Sequence, residues 1–170
     1  MNKIFIYSSI DGQTLKICQR LHSKFNNSHI RNLDDVRDDE LKNFDQIIIG
    51  AGVRYGDHSK KIYDFIKKNK DILVIKKTVF FSVNATARKE DKNNPLTNPY
   101  IKKFLKKTNW KPNKINVFAG KINFPKYGFL DKYMIKLIMW ITNGPTDTSK
   151  SHEFTNWEKV DEFSKEIENN

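Results

Sequence analysis

Residues 4–14 read Ile4-Phe5-Ile6-Tyr7-Ser8-Ser9-Ile10-Asp11-Gly12-Gln13-Thr14: an apolar run, a short hydroxyl-bearing loop with one glycine, then the start of a helical pattern. A strand that ends in such a loop and opens a helix makes an anion site. The first N–H groups of the helix lack partners, and the helix dipole adds partial positive charge. Gly12 lets the backbone approach a ligand closely, and Ser8, Ser9 and Thr14 offer hydroxyls. The same residues also fit a plain capped helix after a strand, with Thr14 as its cap or a first-turn residue.

Working outward, strand-like and helical patterns alternate. Strands are predicted at 3–8, 28–32, 46–50, 78–83 and 115–120, the third and fourth as continuous apolar runs of the kind buried on both faces. Helices are predicted at 14–26, 59–70, 98–108 and 156–168, each with apolar residues at helical spacing. Asp34–Glu40 reads as a solvated acidic connection. Strands alternating with helices imply an α/β three-layer sandwich, a five-stranded parallel sheet with helices on both faces. Ligands bind such sheets at the carboxyl ends of the strands. That groups three loops: 8–14, 51–58 and 82–89.

The chain has 170 residues, enough for one domain spanning 1–170. No N-terminal signal pattern precedes the first strand, and no apolar run is long enough to span a bilayer. The single Cys18 rules out an internal disulfide and reads as a small core residue; these features predict a cytoplasmic protein. Net charge is +11, mostly from lysine, with arginine only at positions 20, 31, 37, 54 and 88. Abundant Lys, Asn and Ile fit an AT-rich genome; a functional reading of the charge is attraction to an anionic partner. The four histidines are scattered and show no metal-ligand spacing. No nucleophile and base pair stands out.

Residues 121–148 do not fit a minimal domain. This long insertion before the last helix contains Phe129-Leu130-Asp131-Lys132-Tyr133-Met134-Ile135-Lys136-Leu137-Ile138-Met139-Trp140-Ile141. It reads as a helix apolar nearly all round, too short to span a bilayer. Either it packs on the domain or a second subunit, which leaves an oligomer open, or Phe129–Ile141 lies in a membrane surface with its lysines reaching acidic headgroups. At the strand ends, Gly50-Ala51-Gly52-Val53-Arg54-Tyr55-Gly56 could flank a flat ligand, with Tyr55 stacking and Arg54 pairing an anion. Ser82-Val83-Asn84-Ala85-Thr86-Ala87-Arg88 offers amides and hydroxyls to a polar ring edge.

Taken together, Ile10–Thr14, Ile49-Gly50-Ala51 with Arg54-Tyr55-Gly56, Ser82-Val83-Asn84 with Ala87-Arg88-Lys89, Asp131–Met139 and Thr146-Asp147-Thr148 resemble the flavodoxin-like, quinone-dependent protoporphyrinogen oxidases of bacterial haem synthesis. The third loop and the Met134–Met139 insertion carry most of the specificity. The resemblance implies bound FMN, six-electron oxidation of protoporphyrinogen IX, a respiratory quinone (menaquinone or ubiquinone) as acceptor, and a peripheral place on the cytoplasmic side of the inner membrane. It implies that Ser9, Ile10, Asp11, Gly12, Gln13 and Thr14 hold the FMN phosphate. Asp11 stands where simple flavodoxins carry Ser or Thr, so its side chain is not expected to touch the phosphate. Ala51, Gly52, Val53, Arg54, Tyr55 and Gly56, with Ser82, Val83, Asn84, Ala87 and Arg88, are expected to flank the ring. Arg54 and Arg88 are the candidates, by location, for tuning the flavin or meeting substrate propionates. The alternatives are a flavodoxin-type electron carrier, which +11 and the insertion disfavour, and an NAD(P)H:quinone reductase. A nucleic-acid partner is not expected, because the lysines are dispersed and no recognition motif is present.

Overall fold

The computed structural model describes residues 1–169. Five strands, β1 (Lys3–Ser8), β2 (Ser28–Asn32), β3 (Gln46–Arg54), β5 (Lys77–Asn84) and β6 (Lys114–Ala119), run parallel in the spatial order β2-β1-β3-β5-β6, and the short β4 (Asp57–His58) pairs antiparallel with β3. The helices are α1 (Gln13–His22), α2 (Lys60–Lys68), α3 (Lys70–Ile75), α4 (Pro99–Thr108), α5 (Phe129–Ile141) and α6 (Trp157–Glu168). A separate antiparallel pair, β7 (Lys121–Asn123) and β8 (Ser151–Glu153), brackets α5.

Alternation along the strands builds two cores. Ile4, Ile6, Ile47, Ile49, Phe80 and Val117 face one way and meet α2 and α4 through Ile62, Ile66, Ile101 and Phe104. Phe5, Ile48, Val79, Phe81 and Phe118 face the other way and meet α1 and α6 through Ile17, Cys18, Val160 and Phe163. Side chains of successive strand residues point to opposite faces, so Ile47-Ile48-Ile49 serves both layers. Phe80 stacks on Phe104 with centroids 4.1 Å apart; truncating either to Ala is worth about 3–5 kcal/mol. Burial pushes the Cys18 thiol well above its ordinary range, as for an inert core residue.

Several boundaries differ from the sequence expectation. Helix α1 stops at His22, where Lys24 and Phe25 donate to the carbonyls of Leu21 and His22 and tighten the end. The expected 59–70 helix ends at Lys68, and α3 follows; Asn69 leaves helical geometry between them, its side chain donating to the Phe65 carbonyl. Asp34, Asp35 and Asp39 are exposed, as expected of a solvated connection, while the two 3-10 turns that the segment overlaps bury the flanking Leu33 and Leu41 in the core. Strand β3 runs on to Arg54 because the turn at Tyr55 and Gly56, both with positive φ, folds β4 back against it.

The register aligns the carboxyl ends. Ser8 lies beside Ala51, Gly52 beside Val83, and Asn84 beside Ala119. The winding reverses between β1 and β3, so the loops after β1, β3 and β5 open onto one crevice. Helix α5 sits over that crevice. Asp131 complements the dipole in its first turn. At the other end Asn143 has φ 53, the Gly144 N–H donates to the Met139 carbonyl at 2.7 Å, and Asn143 donates to Trp140, which together close the helix. A small third core of Ile122, Phe124 and Met139 anchors the insertion. Among the described residues no helix is long and apolar enough to cross a membrane.

Candidate functional site

The crevice encloses a cavity of about 650 Å³ walled by the three strand-end loops, β7 and α5. The first loop contributes Ser9, Ile10, Asp11, Gln13 and Thr14; the second contributes Gly52, Val53, Arg54, Tyr55 and Gly56; the third contributes Val83, Asn84 and Arg88. Four expected residues do not reach it. Ala51 and Ser82 are buried inside the sheet. Ala87 is also buried and caps the third loop, its N–H donating to Asn84 Oδ1. Gly12 supplies geometry rather than a wall: its φ of 85 turns the chain into α1, and its N–H donates to Ser9 Oγ at 3.1 Å.

Local chemistry holds each loop. Gln13 Nε2 donates to Glu153 Oε1 and Thr155 Oγ1, which leaves Gln13 Oε1 buried with no partner among the described residues. At Gly52 a Cβ would stand 3.0 Å from Thr14 Oγ1, so a side chain there would close the gap between the first two loops. The third loop is locked from below. Asn84 Nδ2 donates to Ser82 Oγ, Ser82 Oγ lies 2.9 Å from His58 Nε2, and Asn98 Nδ2 donates to Asn84 Oδ1. Burial among Phe80, Phe104 and Tyr63 pushes the His58 pKa down to about 4, so the ring is neutral. Beside it, burial works against the Asp57 carboxylate, but Lys103, Lys107 and Tyr63 outweigh it and hold that group well below the usual range.

Arg54 ties the loops to the insertion. Its guanidinium bonds Asp131 of α5 at 2.9 Å, lies 3.6 Å from Asp11, and sits over the rings of Tyr55 and Tyr127. Tyr55 donates to Asp131 at 2.7 Å and Tyr127 to Asp11 at 3.2 Å. Arg54 Nε is left buried without a partner among the described residues. Arg88 donates to the carbonyl of Ala85 and to the carbonyl and hydroxyl of Thr142, gripping the C-terminal end of α5.

Helix α5 has two faces. Met134, Ile135, Ile138, Met139 and Thr142 line the cavity. Phe129, Leu130, Tyr133, Leu137, Trp140 and Ile141 are exposed and cover an arc of about 120° at 100° per residue. Met134 and Ile138 stand at the border of the two faces: both line the cavity, and they keep 42% and 48% of their surface exposed, so the expected place of these two residues on a membrane-facing side is not at odds with the structure. Lys89, Lys92, Tyr100 and Lys121 also line the cavity and are not among the site residues expected from the sequence, although Lys89 belongs to the third-loop motif.

The site can therefore hold a flat ring between the second and third loops, with an anionic tail at the start of α1. The open donor at Arg54 Nε and the Gly52 position, where a Cβ would crowd Thr14 Oγ1, fit a flavin mononucleotide, and the open acceptor at Gln13 Oε1 suits a hydroxyl of its sugar chain rather than the phosphate. The chain matches a family model described as a flavodoxin domain over residues 4–149. It is 37% identical over 171 residues to the protoporphyrinogen IX dehydrogenase [quinone] of Escherichia coli K12, covering 98% of this chain and 94% of that one. It is 34% identical over 169 residues to the protein of the same name from Leishmania major, covering 96% of this chain and 73% of that one. Among solved structures, two-electron reduced Megasphaera elsdenii flavodoxin in solution superposes with a TM-score of 0.54 at 13% identity, over 69% of this chain and 85% of that one, a likeness of fold.

Proposed function

The chain belongs to the flavodoxin-domain family and, within it, to the quinone-dependent protoporphyrinogen IX dehydrogenases, and on that premise we propose that it carries FMN and oxidises protoporphyrinogen IX to protoporphyrin IX with a respiratory quinone, menaquinone or ubiquinone, as acceptor. Identity running end to end, through the insertion as well as the flavodoxin-like frame, carries this reading. Six hydrogens leave the substrate, and three quinones become three quinols.

Ser9, Ile10, Asp11, Gln13 and Thr14, on the turn made by Gly12, hold the phosphate end of the cofactor. Gly52–Gly56 and Val83–Asn84 wall its ring, and Ala51, Ser82 and Ala87 support those walls from behind. Bound there, FMN supplies a two-electron acceptor against the cavity. The chain's own residues orient and exclude: Met134, Ile135 and Ile138 offer an apolar wall to a tetrapyrrole or quinone, and Arg54 and Arg88 hold α5 over the site. The outer face of α5, with Lys132 and Lys136 beside its apolar arc, rests in the surface of the inner membrane on its cytoplasmic side, where the quinone is dissolved.

The experiment is an anaerobic assay of FMN-loaded protein with protoporphyrinogen IX, quinone and lipid, read by porphyrin fluorescence. Growth of signal that needs both enzyme and quinone is the expected result. A flat trace from folded, flavin-loaded protein overturns the reading in favour of an electron carrier or another quinone reductase.

A further inference from the structure

The cations around the cavity divide into two groups. Arg54 is neutralised by Asp131 and Asp11. Arg88 is engaged by the carbonyls of Ala85 and Thr142 and by the Thr142 hydroxyl. Just outside, Lys103 and Lys107 share Asp57. Lys89, Lys92 and Lys121 are different: they line the cavity, are half-buried, and form no ion pair among the described residues.

From this we infer that Lys89, Lys92 and Lys121 form a carboxylate-docking edge for a dicarboxylate with an apolar body, here the two propionates of the tetrapyrrole, in place of Arg54 and Arg88; the inference rests on the protoporphyrinogen reading above. Lys89 precedes, and Lys92 closes, the single 3-10 turn Glu90–Lys92, and the Lys92 N–H donates to the Lys89 carbonyl at 2.9 Å. A three-residue period places their side chains one above the other. The intervening Glu90 and Asp91 are exposed and take no part in the cavity wall. The turn is fixed at its far end, where Asn98 Nδ2 donates to the Lys92 carbonyl and Lys159 Nζ to that of Asn93.

Lys121 comes from a different wall, at the start of β7. It forms no ion pair with its register partner Glu153 among the described residues; the Glu153 side chain turns to Gln13 and Trp157, whose N–H groups both donate to its Oε1. Three ammonium groups with no ion pair among the described residues, beside the apolar wall of α5, make an amphipathic pocket: carboxylates meet the lysines, and the macrocycle meets Met134, Ile135 and Ile138. Lysine suits this task, since its long stem and rotatable head can follow two flexible propionates.

The test compares FMN-loaded wild type with the pair Lys89→Gln/Lys92→Gln and with Lys121→Gln, using protoporphyrinogen IX and its dimethyl ester in detergent. The wild type is expected to favour the free acid. Each variant is expected to raise KM for the free acid about tenfold, leave KM for the ester unchanged and keep kcat within about twofold, with flavin content and melting temperature unaltered. Unchanged free-acid KM in both variants of an active enzyme overturns the inference, as does an enzyme that treats acid and ester alike. Loss of flavin from the variants also overturns it, assigning the lysines to the cofactor. A wild type that never oxidises protoporphyrinogen defeats the underlying reading and this inference with it, and is distinct from an active enzyme with an unmoved KM.

Discussion

A carboxylate in a phosphate loop is a liability, and Asp11 is one. Its oxygens face Arg54 and Tyr127, which remove its negative charge from the neighbourhood of the α1 start. Arg54 shares itself with Asp131, and although burial alone favours losing the proton, its contacts with Tyr55, Asp11 and Asp131 hold its pKa above the ordinary value. Arg54→Leu is therefore expected to weaken FMN binding about tenfold or more, by freeing one charge beside another. Asp11→Ser in the same chain is expected to restore most of that loss. Flavin-fluorescence titration of the two singles and the double measures the coupling, and additive losses would show that Asp11 and Arg54 act separately. The residue types that make this cluster were visible in sequence, and Arg54 was picked for its position on the second loop. Its partner Asp131 lies 77 positions away, and no local pattern announces a contact of that reach.

At the level of elements, α5 carries the specialisation. One face closes the cavity and the other is open, with Leu130 and Trp140 at 81% and 70% exposure. Changing both to Glu removes two exposed apolar side chains from the outer arc, each worth about 1.5–3 kcal/mol on full transfer from water. The double variant is expected to lose vesicle co-sedimentation at least tenfold while its melting temperature stays put, because neither side chain packs on the core. Loss of both together would mean that α5 packs rather than docks. The helix itself was legible from composition, but its division into faces was not, because it is apolar nearly all round. The strands were legible wherever burial on both faces imposed an apolar run, as at Ile47–Ile49 and Val79–Phe81. The bracketing strands β7 and β8 are three residues each and polar but for Ile122, so they leave no periodic trace. The β3–β4 turn was missed for another reason: Tyr55 takes a positive φ that an aromatic side chain does not advertise.

Over the whole molecule, stability depends on a histidine the chemistry does not use. Burial drops the His58 pKa from 6.5 to about 4, with Lys103 and Lys107 pushing the same way and Asp57 opposing. Above the upper value both folded and unfolded chains are neutral there; between the two values only the unfolded chain takes the proton. Stability is thus expected to fall as pH drops through that window, by about 3 kcal/mol at most from this group. Thermal melts from pH 7 to pH 4.5 check it, with His58→Phe expected to lose less over the same interval than the wild type. A parallel decline in the two proteins would assign the acid sensitivity to the carboxylates instead. The pairing of β7 with β8 has a consequence of another kind. It sets Asn123 beside Ser151, so the chain departs from the sandwich and rejoins it at a single doorway. Along the chain, everything from 124 to 150 hangs from that doorway as a cassette, and side-chain ties such as Arg54 to Asp131 and Arg88 to Thr142 join it elsewhere to the loops. It can be cut out and the stumps joined by a tight turn without re-routing a strand, and by the same geometry it can be transplanted onto another sandwich of this winding.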